Sequence, residues 1–380
     1  MRTTLPMPRV RGSGDGYGHA RMPRNTTAPE PDRIDRVAYG RFRNVYLYIT
    51  EACQLRCQHC YMGERLGRAL KMSLPQIIST LGTWRRLGGS KLTILGGEPT
   101  LHPDCCAAIR AAGRLGYEHV ITTTNAQRPA LKKFRQLEPG DFAYVQVSLD
   151  GGSASSHDRV RGDGTFGTAL TTTAELTTRG FDTRIICTVN QANRDDVLNL
   201  LRLADELSVS LVKFHVFSTI GIGHGNPELA MTPPEWVGFC DKLNELAPSY
   251  HTRVWYQPTY ARRDQMARYQ AEGYQGCIGR TLDRISVFPD GRCYVCSYLF
   301  DTDLYFARMD GHRVCLNHGE NEFDLFTKPL AQSACADCKA SACLGGCPAE
   351  EIVMGASSCS AYEDIVPVCR LWKSSAKPDE

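Results

Sequence analysis

Between residues 45 and 247, short apolar runs and helical patterns alternate six times, and no other property of the chain narrows its fold as far. Val45-Tyr46-Leu47-Tyr48-Ile49-Thr50 reads as a strand from its β-branched and aromatic content. Equivalent runs follow at 91–95, 119–124, 143–149, 183–189 and 211–217. Helical patterns fill 74–88, 104–115, 127–138, 166–179, 194–207 and 233–247. Strands separated by helices demand a parallel sheet with right-handed crossovers. The expected fold class is therefore α/β, a partial (β/α)6 TIM-like barrel, in which the C-terminal strand ends carry the chemistry. The first 40 residues, rich in Arg, Pro, Gly and Thr, read as a disordered tail. From residue 277 cysteine, glycine and short strands dominate, and Asp290-Gly291 between two strand-like runs signals a hairpin. The expected division is a tail at 1–40, the barrel at 41–250, a linker at 251–276 and a small irregular cysteine-rich domain at 277–380.

Cysteine is the unusual component of the composition. Thirteen of the 17 cysteines fall within residues 53–60 and 277–369; Cys105, Cys106, Cys187 and Cys240 are scattered between. A disulfide scaffold would not leave so long a stretch nearly bare, so metal binding is the better reading for a chain of 380 residues. A net charge of +3 is too mild to imply a nucleic-acid partner. No apolar run approaches the roughly 20 residues of a membrane span, and none suits a signal peptide. The expected location is the cytoplasm, with no membrane partner.

Cys53, Cys57 and Cys60 follow the first strand directly, in a C-x3-C-x2-C spacing. Iron–sulfur clusters normally take four cysteines, so three leave one iron open to another ligand. The later strands end in small polar groups at the same level. Strand two ends in Gly96-Gly97-Glu98-Pro99, strand three in Thr123-Thr124-Asn125, strand four in Ser148-Leu149-Asp150-Gly151 and strand five in Asn190. Two glycines suit a close backbone approach to a ligand. Polar groups in register with a cluster loop point to a polar cofactor.

These residues resemble the radical S-adenosylmethionine (radical SAM) superfamily, on the cysteine motif and on Gly96-Gly97-Glu98-Pro99. The resemblance implies a [4Fe–4S] cluster on Cys53, Cys57 and Cys60 whose open iron binds SAM. It places His59 near the adenine and the Gly-Gly-Glu-Pro segment at the SAM amino group. Ser148 and Asp150 fall where the family touches ribose or methionine, and Arg161 is expected at the carboxylate. Thr123, Asn125 and Asn190 complete the expected cofactor wall. The implied activity is reductive cleavage of SAM to a 5′-deoxyadenosyl radical, which abstracts a hydrogen from an unactivated C–H bond. The protein orients the cofactor and excludes water.

The later cysteines resemble the SPASM extension of the same superfamily, which holds two auxiliary [4Fe–4S] clusters. By order, Cys277, Cys293, Cys296 and Cys347 fall to the first and Cys335, Cys338, Cys343 and Cys369 to the second. Cys315 rivals Cys293, and Cys359 rivals Cys369. Zinc on Cys335, Cys338, Cys343 and Cys347 is the bland alternative. Cys187 is a candidate hydrogen-atom donor, with core packing as its ordinary reading. Ser297 stands where sulfatase-maturing relatives carry a basic aspartate, which argues against oxidation of that type. The expected function is maturation of a ribosomally made peptide by crosslinking or side-chain oxidation. A dehydrogenase or epimerase of aminosugar or antibiotic biosynthesis is the alternative, and a non-enzymatic iron–sulfur electron carrier the remote one. Expected partners are a peptide or small-molecule substrate, an electron donor such as flavodoxin or ferredoxin, and a separate leader-peptide-binding protein.

Overall fold

The computed structural model describes residues 42–257, 259–271, 283–322, 349 and 364–367. Six parallel strands run in sequence order: β1 (Asn44–Thr50), β2 (Lys91–Gly96), β3 (His119–Thr124), β4 (Tyr144–Ser148), β5 (Thr183–Val189) and β6 (Leu211–Val216). A short helix, α1 (Arg65–Arg68), follows the cysteine loop. The crossovers carry α2 (Leu74–Arg86), α3 (Cys105–Arg114), α4 (Arg128–Phe134), the pair α5 (Ala154–Arg161) and α6 (Thr165–Thr178), and α7 (Val197–Glu206). Helix α8 (Pro233–Leu246) leads to β7 (Arg253–Tyr256), which pairs parallel with β6. This is the α/β parallel sheet expected from the alternation.

The strand periodicity decides which face the helices cover. Val45, Leu47, Leu92, Ile94, Val145, Val147, Ile185, Val189, Val212 and Phe214 share one core with the helices. Burying such a side chain stabilises the fold by about 1.5–3 kcal/mol. Residues of the other parity, among them Tyr46, Arg184, Ile186 and Lys213, lie on the face the helices leave uncovered, as the alternating burial of β5 shows. Helix starts are set locally. Ser73 and Gln76 form a capping box at α2, and Thr232 and Glu235 form one at α8.

The organisation beyond α8 differs from the sequence expectation. The stretch 251–276, expected as a linker, contains β7 and β8 (Tyr260–Arg262). In the region expected as a separate domain, β9 (Arg284–Val287) pairs parallel with β1, from Asn44↔Arg284 to Leu47↔Val287. Then β10 (Arg292–Tyr294), β11 (Ala307–Asp310) and β12 (Arg313–Leu316) continue the same sheet antiparallel, while β13 (Ile365–Pro367) pairs with β8. Residues of β1 and β9 that lie 240 positions apart (284 − 44) thus become neighbours, which no local pattern announces. The expected hairpin around Pro289-Asp290-Gly291 forms between β9 and β10, with Gly291 at φ 82°. Among the described residues no helix is long and apolar enough to cross a membrane.

Candidate functional site

Strand β1 delivers Cys53, Cys57 and Cys60 to the C-terminal edge of the parallel sheet. The end of β2 holds the start of their loop. Gly97 N donates to Thr50 O (2.9 Å) and Glu98 N to Ala52 O (2.8 Å). A Cβ on Gly96 would lie 2.6 Å from Thr50 O, and one on Gly97 2.5 Å from Ala52 O. The crowding comes from the main chain of the cysteine loop. The glycines are therefore needed for the loop to dock onto β2, a close approach the sequence reading assigns to a ligand alone.

Donors face the cysteine sulfurs. Leu55 N lies 3.4 Å and Asn125 Nδ2 3.7 Å from Cys53 Sγ, and Arg161 Nη1 lies 3.8 Å from Cys57 Sγ. Burial pushes the Cys53 thiol up to about 11 and the Cys60 thiol up to about 12, and it raises Cys57 as well. Buried sulfurs with N–H groups aimed at them suit thiolates whose charge is balanced by metal. The donor set therefore fits an iron–sulfur cluster. Among the described residues no three Cys, His, Asp or Glu side chains converge on a point suited to a single ion.

The expected cofactor residues gather at this edge, and many of them bind one another. Glu98 is 1% exposed. Its Oε1 accepts from Thr100 N, Thr100 Oγ1 (2.6 Å) and Thr124 Oγ1 (2.9 Å), and its Oε2 from Asn125 N (2.7 Å). Burial still raises its carboxyl above the ordinary value. Glu98 thus clamps the ends of β2 and β3, and Pro99 opens the turn that supplies Thr100. Asn125 Oδ1 accepts from Gln54 Nε2 (3.1 Å), so Asn125 contacts the cysteine loop twice. Thr123 Oγ1 accepts from Gln146 Nε2. Ser148 is buried at the end of β4. Asn190 folds back on its own turn, donating to Thr188 O and accepting from Ala192 N.

Asp150 is the hub of a second network. It is fully buried. Its Oδ2 accepts from Arg161 Nε (2.6 Å) and lies 3.4 Å from His59 Nε2, while its Oδ1 accepts from Thr188 N (2.7 Å). Burial would raise the carboxyl, but Arg161, His59 and His157 outweigh it and hold it below the ordinary value. Burial lowers His59 to about 4, so the imidazole facing Asp150 is neutral near pH 7. His157 and Arg161 stand one turn apart on α5 and both reach Asp150, His157 Nδ1 accepting from Asp150 N (3.1 Å).

Cys187 lies on the helix-covered face of β5, in the same core as Ile185 and Val189, and burial raises its thiol well above the ordinary value. Period-two side-chain alternation turns Cys187 away from the uncovered face, the placement that its core-packing reading expects. Cys293 is fully buried in β10, and Cys315 sits on β12, two strands away. Cys296 N donates to Glu322 Oε2 (2.9 Å), while Val295 N donates to Oε1. Cys277, Cys335, Cys338, Cys343, Cys347, Cys359 and Cys369 lie outside the described residues.

Sequence reasoning missed two groups. Arg65, 1% exposed, donates to Phe300 O (2.6 Å) and Glu51 Oε1 (2.7 Å), lies 3.2 Å from Asp290 Oδ2 and stacks over Phe288 at 4.1 Å. It ties the cysteine loop to the region beyond 283. The uncovered face also pairs cations with rings, Arg184 over Tyr144 (3.7 Å), Arg284 over Tyr46 (4.1 Å) and Lys213 over Trp255 (4.4 Å). The signal for α5 was present as His157 and Arg161 at helical spacing, masked by the Gly- and Ser-rich run before them.

A parallel sheet with a three-cysteine loop on the C-terminal end of its first strand defines a class, and comparison with known proteins agrees. Residues 47–204 match the family model "Radical SAM superfamily". The family implies a [4Fe–4S] cluster and SAM. The chain is 25% identical over 327 residues to the mycofactocin maturase MftC of Mycolicibacterium smegmatis, covering 81% of this chain and 78% of that one. It is 26% identical over 274 residues to an AdoMet-dependent heme synthase of Methanosarcina barkeri, covering 66% and 75%. Among solved structures, Streptococcus suis SuiB bound to its precursor peptide SuiA superposes with a TM-score of 0.64 over 82% of this chain and 73% of that one. At 14% identity, that likeness concerns the fold.

Proposed function

We propose that the chain is a radical SAM enzyme that modifies a peptide. The observation that carries the reading is the loop of Cys53, Cys57 and Cys60, with N–H donors aimed at its sulfurs, at the C-terminal edge of the parallel sheet. Cys53, Cys57 and Cys60 hold the cluster and leave its fourth iron to SAM. When bound, the two supply one-electron cleavage of a carbon–sulfur bond and removal of a hydrogen atom from the substrate.

The remaining roles belong to the protein. Gly96 and Gly97 dock the loop. Glu98 and Pro99 fix the ends of β2 and β3, so the main chain of this segment meets the SAM amino group while the Glu98 carboxylate braces it. Asn125 and Thr123 line the wall beside Cys53, and Ser148 extends it toward the ribose. Asp150 holds His59 against the cofactor. Cys293 and Cys296, with the later cysteines, form the auxiliary clusters.

A peptide substrate is favoured by the likeness to MftC over most of both chains and by a fold shared with SuiB, whose structure holds a precursor peptide. The test is anaerobic incubation of reconstituted protein with SAM, dithionite and short peptides encoded beside its gene. The expected result is 5′-deoxyadenosine together with a peptide of altered mass. The Cys53→Ala/Cys57→Ala/Cys60→Ala chain should bind about four fewer irons and release none. Wild-type protein that releases no 5′-deoxyadenosine sinks the reading. Release with no peptide altered turns it toward a small molecule.

A further inference from the structure

The face of the sheet that the helices leave uncovered is cationic. Strands β1 to β7 and β9 carry Lys91, Arg184, Lys213, Arg253 and Arg284, and they carry no Asp or Glu. Arg284, Arg184 and Lys213 lie over the rings of Tyr46, Tyr144 and Trp255. A concave surface lined by one sign of charge draws ligands of the other sign.

The cations are not equally committed. Arg184 Nη2 donates to Asp182 Oδ2 (2.9 Å) at the start of its strand. Arg284 has no ion pair among the described residues, and its Nε is buried without a hydrogen-bond partner there. Its guanidinium carbon lies 4.1 Å from the ring centre of Tyr46. A ring against the flat face of a guanidinium fixes its plane and leaves the N–H edge unspent. Two residues on, along the same side of β9, Ser286 is fully buried, and its Oγ also lacks a partner among the described residues. Tyr46 is the register partner of Ser286 and packs against the same apolar cluster as Cys53, Cys60 and Tyr61. The unspent donors therefore share a neighbourhood with the cysteine loop.

A buried donor left without an acceptor is costly, and a planar fork matches a carboxylate through two parallel hydrogen bonds. A hydroxyl beside it can donate to the same group. The surrounding strands supply no carboxylate, so the acceptor comes with a bound molecule.

We propose that Arg284, supported by Ser286, is a specificity-determining residue that binds a carboxylate of the substrate, carried on an acidic side chain or at the peptide C-terminus. The proposal rests on the peptide reading above and narrows it to peptides that present such a group to β9.

The test uses three probes of one skeleton on the reconstituted full-length protein. N-acetylglutamate α-amide carries a side-chain carboxylate, N-acetylglutamine a terminal one, and N-acetylglutamine α-amide neither. Affinity is read by calorimetric titration. At least one carboxylate probe should bind about tenfold more tightly than the neutral one, and which does so separates the side chain from the C-terminus. In Arg284→Gln that preference should fall below about threefold, with iron content and circular dichroism those of wild type. Arg184→Gln removes a charge from the same face, but one already paired with Asp182, and should keep the preference within about threefold. Equal loss in both variants overturns the assignment to Arg284, because net charge then accounts for it. Arg284→Lys keeps the charge without the fork and should retain only part of the preference. If Arg284→Gln does not fold, Arg284→Lys decides, and an undiminished preference overturns the proposal. Wild-type protein that binds all three probes alike also overturns it, and leaves the peptide reading standing where a peptide is still altered in the assay above. A preference lost in Arg284→Gln while no peptide is altered upholds the carboxylate site and defeats the peptide reading in favour of a small acid.

Discussion

Gly97 shows how tightly single residues are specified at this site. A methyl group there would sit 2.5 Å from Ala52 O and 2.6 Å from Glu51 O, both main-chain atoms that cannot rotate away. Gly97→Ala should strain the cysteine loop by about 1–3 kcal/mol. Iron retained after reconstitution should fall severalfold while the far-UV circular dichroism stays that of wild type. Full iron occupancy in this variant would contradict the docking role. The identity of the residues at this edge was legible in the sequence, because motif and strand ends coincide. Their division of labour was not. Glu98, Asp150 and Asn190 look like ligand-facing groups until their partners are known. Those partners, Thr100, Thr124, Asn125, Arg161 and Thr188, come mostly from other segments of the chain.

At the scale of elements, α2 and α8 each start at a capping box. Glu235 accepts from Thr232 N (2.8 Å), receives Gln191 Nε2 (2.8 Å) and pairs with Arg194 Nη1 (2.5 Å). The Thr232 amide, then the Gln191 side chain, hold its carboxyl down to about 2, against an ordinary value of 4.5. A depressed carboxyl stabilises the fold fully above the ordinary value, and that stability is lost as the pH falls through about 2. Glu235→Gln should cost about 1 kcal/mol near pH 7, read as a lower Tm. The gap from wild type should close between pH 4.5 and 2. A gap that persists at pH 2 would show that the charge is not its source. Elements of strong period and clear caps were readable from the sequence. Helix α5 was not, because its short polar run has little apolar face to advertise it, and its contribution is Arg161 and His157 rather than core.

For the molecule as a whole, β1 is the seam. It pairs with β2 on one side and β9 on the other, Tyr48 stacks on Phe288 at 4.2 Å, and Arg65 joins Glu51 to Asp290. A chain ending at residue 276 would strip the outer edge of β1 and leave Arg65 without Asp290, Tyr294 and the Phe300 carbonyl. It should be poorly soluble and lack cooperative unfolding by circular dichroism. Soluble expression with a sharp thermal transition would show that the parallel strands stand alone. From sequence alone came the α/β class, the order of the six strands and the placement of Cys53, Cys57 and Cys60 at their C-terminal edge. These rest on local properties: hydrophobic period, turn residues and cysteine spacing, each read within a few residues. The tertiary structure decided that β9 completes the sheet beside β1, that Cys187 faces the helices, and that Arg161 reaches Cys57 across 104 positions. Those contacts depend on sheet pairing and side-chain direction, which exist only once distant segments have met.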